Sequence, residues 1–161
     1  MKIAISDANI FIDLIHIKLH AELFALDLEI HTTSLVFDEL REDQQRALSK
    51  FAKKDKLTIH PSEESNQLEN AILNKRLSES DKSVIHLASE LGAFILTGDG
   101  LLRKISVKQK IEVHGVFWLL DKFVESKLIT KKKALQQLKL LMEYNKRLPE
   151  EECTKRFANW R

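Results

Sequence analysis

Cysteine occurs once in 161 residues, at Cys153. That excludes an internal disulfide framework and any multi-cysteine zinc ribbon. Proline occurs twice and glycine four times, too few for collagen-like, turn-dense all-β or low-complexity architectures. No apolar run approaches the length of a membrane span. Residues 2–14 carry Asp7 and Asp13, which a signal peptide's apolar segment does not tolerate. The expected setting is the cytoplasm, with no membrane contact.

What is present describes a folded, soluble domain. Hydrophobic residues make up 43% and charged residues 31% of the chain, a globular rather than disordered balance. The length suits one domain that buries roughly two thirds of its unfolded surface. The net charge of +2 hides an asymmetry: residues 1–100 hold 11 Lys+Arg against 17 Asp+Glu, and residues 101–161 hold 15 against 7. An acidic half beside a basic half suits an enzyme that binds cations and acts on a polyanion, although solvated faces can also divide this way.

Apolar, β-branched stretches predict strands at 2–6, 28–33, 57–60, 93–97 and 111–113. Helical spacing predicts helices at 8–17, 35–43 (capped by Ser34), 44–54, 62–76, 79–91, 115–126 and 130–147. Strands alternating with helices make an α/β fold, a mostly parallel central sheet of four to five strands flanked by helices on both faces. The reading places one domain at 1–147 and a charged C-terminal tail at 148–161.

In such a sheet, ligands bind outside the carboxyl ends of the strands. Asp7 ends the first strand and Asp99 follows the fourth. Asp81 falls on the apolar stripe of its helix with Val84, Ile85 and Ala88, where a carboxylate needs a partner. Glu39 falls among Leu35, Val36 and Leu40 on another helix, and Asp43, one turn on, is its rival. Four acids from four segments suit a hard divalent ion, Mg²⁺ or Mn²⁺, which takes oxygen ligands and keeps several waters. Such an ion can acidify water and neutralise charge on a phosphodiester.

Other chemistries lack their signatures. His16 and His20 have metal-compatible spacing but no third ligand nearby. Rossmann and Walker glycine patterns are absent. The stretch Asp7-Ala8-Asn9 lacks the second aspartate of haloacid-dehalogenase phosphotransferases, and Cys153 has no neighbouring base.

The sequence resembles the PIN-domain family of ribonucleases. The matching pieces are Ser6-Asp7-Ala8-Asn9-Ile10-Phe11-Ile12-Asp13, Phe37-Asp38-Glu39-Leu40, Leu77-Ser78-Glu79-Ser80-Asp81 with Val84-Ile85-His86-Leu87-Ala88, and Leu96-Thr97-Gly98-Asp99-Gly100-Leu101-Leu102-Arg103. The resemblance implies a PIN-like fold and a Mg²⁺/Mn²⁺-dependent endoribonuclease. Its catalytic acids map to Asp7, Glu39, Asp81 and Asp99, with Asp7, Asp81 and Asp99 nearest the metal. Ser6, Asn9 and Thr97 support them. The stretch Val113 to Leu120 is similar to toxin-like bacterial members, which implies a VapBC-type toxin with a small antitoxin partner. Alternatives are a non-catalytic PIN-like module that binds RNA or protein, and a DNA nuclease using the same acids.

Two further expectations concern the basic half. Arg103 and Lys104, just beyond Asp99, are expected to bind RNA, with Lys108, Lys110 and Lys131 to Lys133 as further contacts. Trp118, Leu119, Leu128, Leu135, Leu138 and Met142 offer more apolar surface than one helix face needs, so a homodimer is expected.

Overall fold

A computed structural model of the chain describes residues 1–62 and 76–161. The apolar opening stretch is β1 (Lys2–Ser6), whose last three residues are buried. Asp7 then turns the chain into α1 (Ala8–His16): its Oδ1 accepts the N–H of Ile10 at 2.9 Å, the side-chain cap that an orphan helix amide requires. Ile10, Phe11 and Leu14 bury that helix's inner face. Replacing the fully buried Phe11 by Ala would cost about 3–5 kcal/mol.

The chain continues through α2 (His20–Ala25), β2 (Leu28–Thr33), α3 (Ser34–Asp38), α4 (Glu42–Lys53) and β3 (Leu57–His60). After residues 63–75 come α5 (Glu79–Leu91), β4 (Phe94–Leu96), α6 (Gly100–Lys108), β5 (Val113–His114), α7 (Val116–Glu125), α8 (Lys131–Tyr144) and α9 (Glu150–Asn159). The expected helix at 62–76 lies almost wholly outside the described residues.

Among the described residues the four strand pairings are all parallel, in the order β3-β2-β1-β4-β5. This is the expected α/β architecture. Helices cover both faces. On one, α5 lies against β1, β2 and β4, and Ser83 meets Thr33 hydroxyl to hydroxyl at 2.8 Å. On the other, Trp118 of α7 packs edge-on against Phe94 of β4. The order places β1 beside β4 while their chains leave in opposite directions, toward β2 and toward β5. The crevice for a ligand lies at such a reversal.

Several expectations change. Thr33, not Ser34, caps α3, accepting the Val36 N–H at 3.2 Å. That helix stops at Asp38 instead of running to 43. The helix α2 was not foreseen. Residues 148–161, read as a charged tail, contain α9, with Cys153 and Trp160 in the core. Arg156 anchors it, bonding Asp121 of α7 at 2.8 Å and stacking over Phe117. Of the side chains cited for a dimer, Leu119 and Leu138 are fully buried within the chain and Trp118 stacks on His114. The surplus apolar surface is therefore smaller than the helical pattern suggests. His16 stacks on Tyr144 and His20 meets Phe51 edge-on, so the two rings go to separate aromatic contacts.

Candidate active site at the carboxyl ends of the strands

The carboxyl ends of β1 and β4 meet directly: Asp7 N–H donates to the Leu96 carbonyl at 3.1 Å. Asp7 is 3% exposed. Its Oδ1 is taken by Ile10, and its Oδ2 accepts the hydroxyl of Thr97, itself fully buried. The same Thr97 oxygen accepts the main-chain N–H of Asp99 at 3.0 Å. Asp99 in turn caps α6, accepting the Leu102 N–H at 2.8 Å. One threonine hydroxyl thus fixes both strand-end acids.

Asp81 stands half-buried in the first turn of α5, below the cap made by Ser78, whose Oγ accepts the Asp81 N–H at 3.1 Å. Glu39 is the C-cap of α3 and is exposed, not on a buried helix side as the periodicity suggests. Its helix ends a residue earlier, so the expected wheel does not apply. The Ser80 hydroxyl, buried at the start of α5, holds the Glu39 carboxylate. Asp43 goes elsewhere, pairing with Arg41 at 3.1 Å on the surface of α4.

The four acids share one electrostatic environment. Burial raises the Asp7 carboxyl from about 3.8 to about 7; the Thr97 and Ile10 hydrogen bonds oppose the shift, and the charges of Asp81 and Asp99 add to it. Burial likewise raises Asp81, with Asp99 and Glu39 pushing the same way and Ser78 opposing. Among the described residues none of the four acids has an ion-pair partner; the nearby Lys82 is paired with Glu79 at 3.2 Å. Among the described residues hydrogen bonds alone, from Thr97, Ile10 and Ser78, offset this repulsion.

That arrangement fits Mg²⁺ or Mn²⁺ by donor type: all oxygen, all acidic, with no ion pair to these acids among the described residues. Among the described residues no three acidic, histidine or cysteine side chains are gathered closely enough to enclose an ion unaided. Mg²⁺ needs only one or two carboxylates and keeps the rest of its shell as water.

The remaining expected residues divide. Thr97 bonds the Asp7 carboxylate and the Asp99 N–H. The Ser6 hydroxyl does not reach a carboxylate: it donates to the Asp7 main-chain carbonyl at 3.0 Å. Asn9 is exposed and makes no side-chain hydrogen bond among the described residues. Arg103 and Lys104 are both exposed on α6, and only Arg103 turns back toward the site, its Nη2 reaching the Thr97 carbonyl at 3.5 Å. The periodicity missed Ser80, since a serine among serines at a helix start reads as capping. It also missed Asp13, buried on α1, whose carboxylate accepts from Asn145 at 3.1 Å.

Among the described residues no helix is long and apolar enough to cross a membrane. The family model DUF3368, described as a PIN domain, matches residues 3–161. Among solved structures, a domain of a functionally unknown protein from Methanocaldococcus jannaschii DSM 2661 is similar with a TM-score of 0.52 and 22% identity, over 72% of this chain and 91% of that one. A PilT N-terminus domain protein from the hyperthermophilic archaeon Sulfolobus solfataricus P2 is similar with a TM-score of 0.50 and 12% identity, over 76% of this chain and 94% of that one. At these identities the likenesses show the fold alone. No curated protein matches the chain.

Proposed function

The chain belongs to the PIN-domain family, and from that premise we propose that it is a divalent-metal-dependent endoribonuclease cutting single-stranded RNA in the cytoplasm. The observation that supports the proposal is the mutual repulsion linking Asp7 with Asp81 and Asp99, and Asp81 with Glu39, beside the strand ends where β1 and β4 diverge, with no ion-pair partner for these acids among the described residues. Asp7, Asp81 and Asp99 would hold Mg²⁺ or Mn²⁺, which when bound acidifies water and offsets charge on the phosphodiester.

The chain's own residues supply the rest. Thr97 fixes the Asp7 carboxylate and Asp99 together, so the acids are set before substrate arrives. Glu39 is exposed and held by Ser80, which leaves its free oxygen to orient the attacking water. Arg103 stands at the rim, a cation beside an acidic site, suited to a phosphate.

Two finer parts belong to the same proposal. The Val113 to Leu120 stretch, similar to toxin-like members, supports a small antitoxin as a protein partner. Exposed Leu140 and Tyr144 on α8 support a homodimer. Light scattering at micromolar concentration checks the dimer, and a monomer there would reject it. The test of the function is cleavage of matched single-stranded RNA and DNA with Mg²⁺, Mn²⁺ or EDTA. RNA cut only with metal is the expected result. Cleavage unaffected by EDTA, or preference for DNA, would overturn it.

A further inference from the structure

Gly115 lies between β5 and α7 as the N-cap of that helix. Its φ of −123° is ordinary extended backbone, open to any residue. At an N-cap, Ser, Thr, Asp or Asn would satisfy an orphan amide, and α7 has no side-chain cap. Neither conformation nor capping explains a glycine here. Space does: a Cβ at 115 would stand 3.3 Å from Arg103 Nη2 and 3.3 Å from the Thr97 carbonyl oxygen. At Gly98 and Gly100, by contrast, an added Cβ would meet nothing within 4 Å.

Of those two neighbours the carbonyl is the harder to move. Thr97 is tied into the sheet edge by its N–H bond to the His114 carbonyl at 3.0 Å, and its hydroxyl holds Asp7. The group that a side chain at 115 would displace is the guanidinium. That guanidinium has folded back from the exposed surface of α6 to lie on Thr97, using one N–H on the carbonyl. Among the described residues it has no carboxylate partner. Four N–H donors remain for a ligand.

We propose that Gly115 is a positioning residue that seats the Arg103 guanidinium on Thr97, and that this seat is a phosphate subsite for a nucleotide flanking the cut in single-stranded RNA. The proposal rests on reading the neighbouring acids as a ribonuclease site. Those acids repel a polyanion, so the strand needs a cation at the rim. A planar guanidinium grips a phosphate with two parallel bonds, which a lysine ammonium does not. Lys104, pointing to solvent, lacks the seat.

The test uses the full chain in EDTA, with a short single-stranded RNA and with inorganic phosphate as probes. Arg103→Ala and Gly115→Val should each weaken RNA binding about tenfold, the effect of one lost charge-assisted contact. The double variant should bind no worse than either, because both remove one seat. Gly115→Ala is the milder companion, and thermal unfolding shows that each variant is folded. Wild-type affinity in folded Gly115→Val, or losses that multiply in the double variant, would overturn the proposal. If the wild-type protein neither binds RNA in EDTA nor cuts it with Mg²⁺ or Mn²⁺, the ribonuclease reading fails, and the seat is judged by NMR of the Arg103 Nε–H. A phosphate-induced shift present in wild type and absent in Gly115→Val sustains the anion seat; no shift in wild type removes it.

Discussion

Thr97 donates its hydroxyl to the Asp7 carboxylate across 90 residues of chain. The bond joins the ends of β1 and β4, and the same oxygen receives the Asp99 N–H. Removing that oxygen leaves a buried carboxylate oxygen and an amide without partners. Thr97→Val is therefore expected to lose about 1–3 kcal/mol of stability and most metal affinity. Thr97→Ser, which keeps the hydroxyl, should recover both. Chemical denaturation and Mn²⁺ titration read the two effects; Mn²⁺ affinity unchanged in Thr97→Val would show that the bond does not organise the site.

The metal prediction follows from acids that have no ion-pair partner among the described residues. Mn²⁺ should raise the melting temperature by mass action, since it binds only the folded protein. Asp7→Asn and Asp99→Asn should both abolish that rise, while Asp81→Asn keeps or raises the stability of the metal-free protein by relieving repulsion. A wild-type Mn²⁺ response in both Asp7→Asn and Asp99→Asn would remove these residues from the assignment.

Chelated protein should lose stability as pH rises. Burial raises Asp7 to about 7 and, with Asn145 and His16 opposing, raises Asp13 to about 6. Both fold more favourably protonated, so the folded state binds more protons than the unfolded state between roughly pH 4 and 7, and stability falls across that window. Asp13→Asn keeps an acceptor for Asn145 and removes one of the two ionisations. Its melting temperature should match wild type near pH 4 and exceed it near pH 7. Parallel melting curves against pH would contradict this.

Attack by water with the 3′-oxygen leaving gives a 5′-phosphate and a 3′-hydroxyl, and the resemblance to PIN-domain ribonucleases implies those ends. A 2′,3′-cyclic phosphate would mean that the RNA's own 2′-hydroxyl attacked instead. Asp7→Asn should reduce cleavage at least about 100-fold, the scale of removing one organising electrostatic group, with circular dichroism unchanged.

Arg103→Ala with Lys104→Ala should weaken RNA binding without altering Mn²⁺ affinity, and flatten the log–log salt dependence by about 0.7 per lost phosphate contact. Because only Arg103 turns back to Thr97, it should account for most of the loss when each is changed alone. An RNA affinity and salt slope equal to wild type would leave the basic half without this role.

The sheet was legible because its strands are short apolar runs in a chain poor in breakers. The runs at 2–6, 28–33 and 57–60 coincide with β1, β2 and β3. The start of α5 was legible too, since Ser78 caps it and Gly92 ends it at a φ of 63°. So were the ends of α1, α4 and α7: the helices expected at 8–17, 44–54 and 115–126 stop within one residue of them. The left-handed turns that follow fall on Lys18, Asp55 and Lys127, residues that carry no signal for a conformation glycine usually marks. The early end of α3 at Asp38 and the helix α2 were not legible.

The acids Asp7 and Asp99 could be placed from local pattern alone, since a residue that ends a strand and caps a helix must lie at the sheet's carboxyl end. What Glu39 and Asp43 each meet could not. Glu39 is held by a serine 41 positions away in the chain, while Asp43 pairs with Arg41. The fate of residues 148–161 likewise depended on contacts with α7, which no composition reveals. Periodicity reports which side of an element is apolar; which polar groups meet depends on how the elements cross. Thr97 over Asp7, Ser80 on Glu39 and Arg103 beside Gly115 exist only once the sheet has closed around β1.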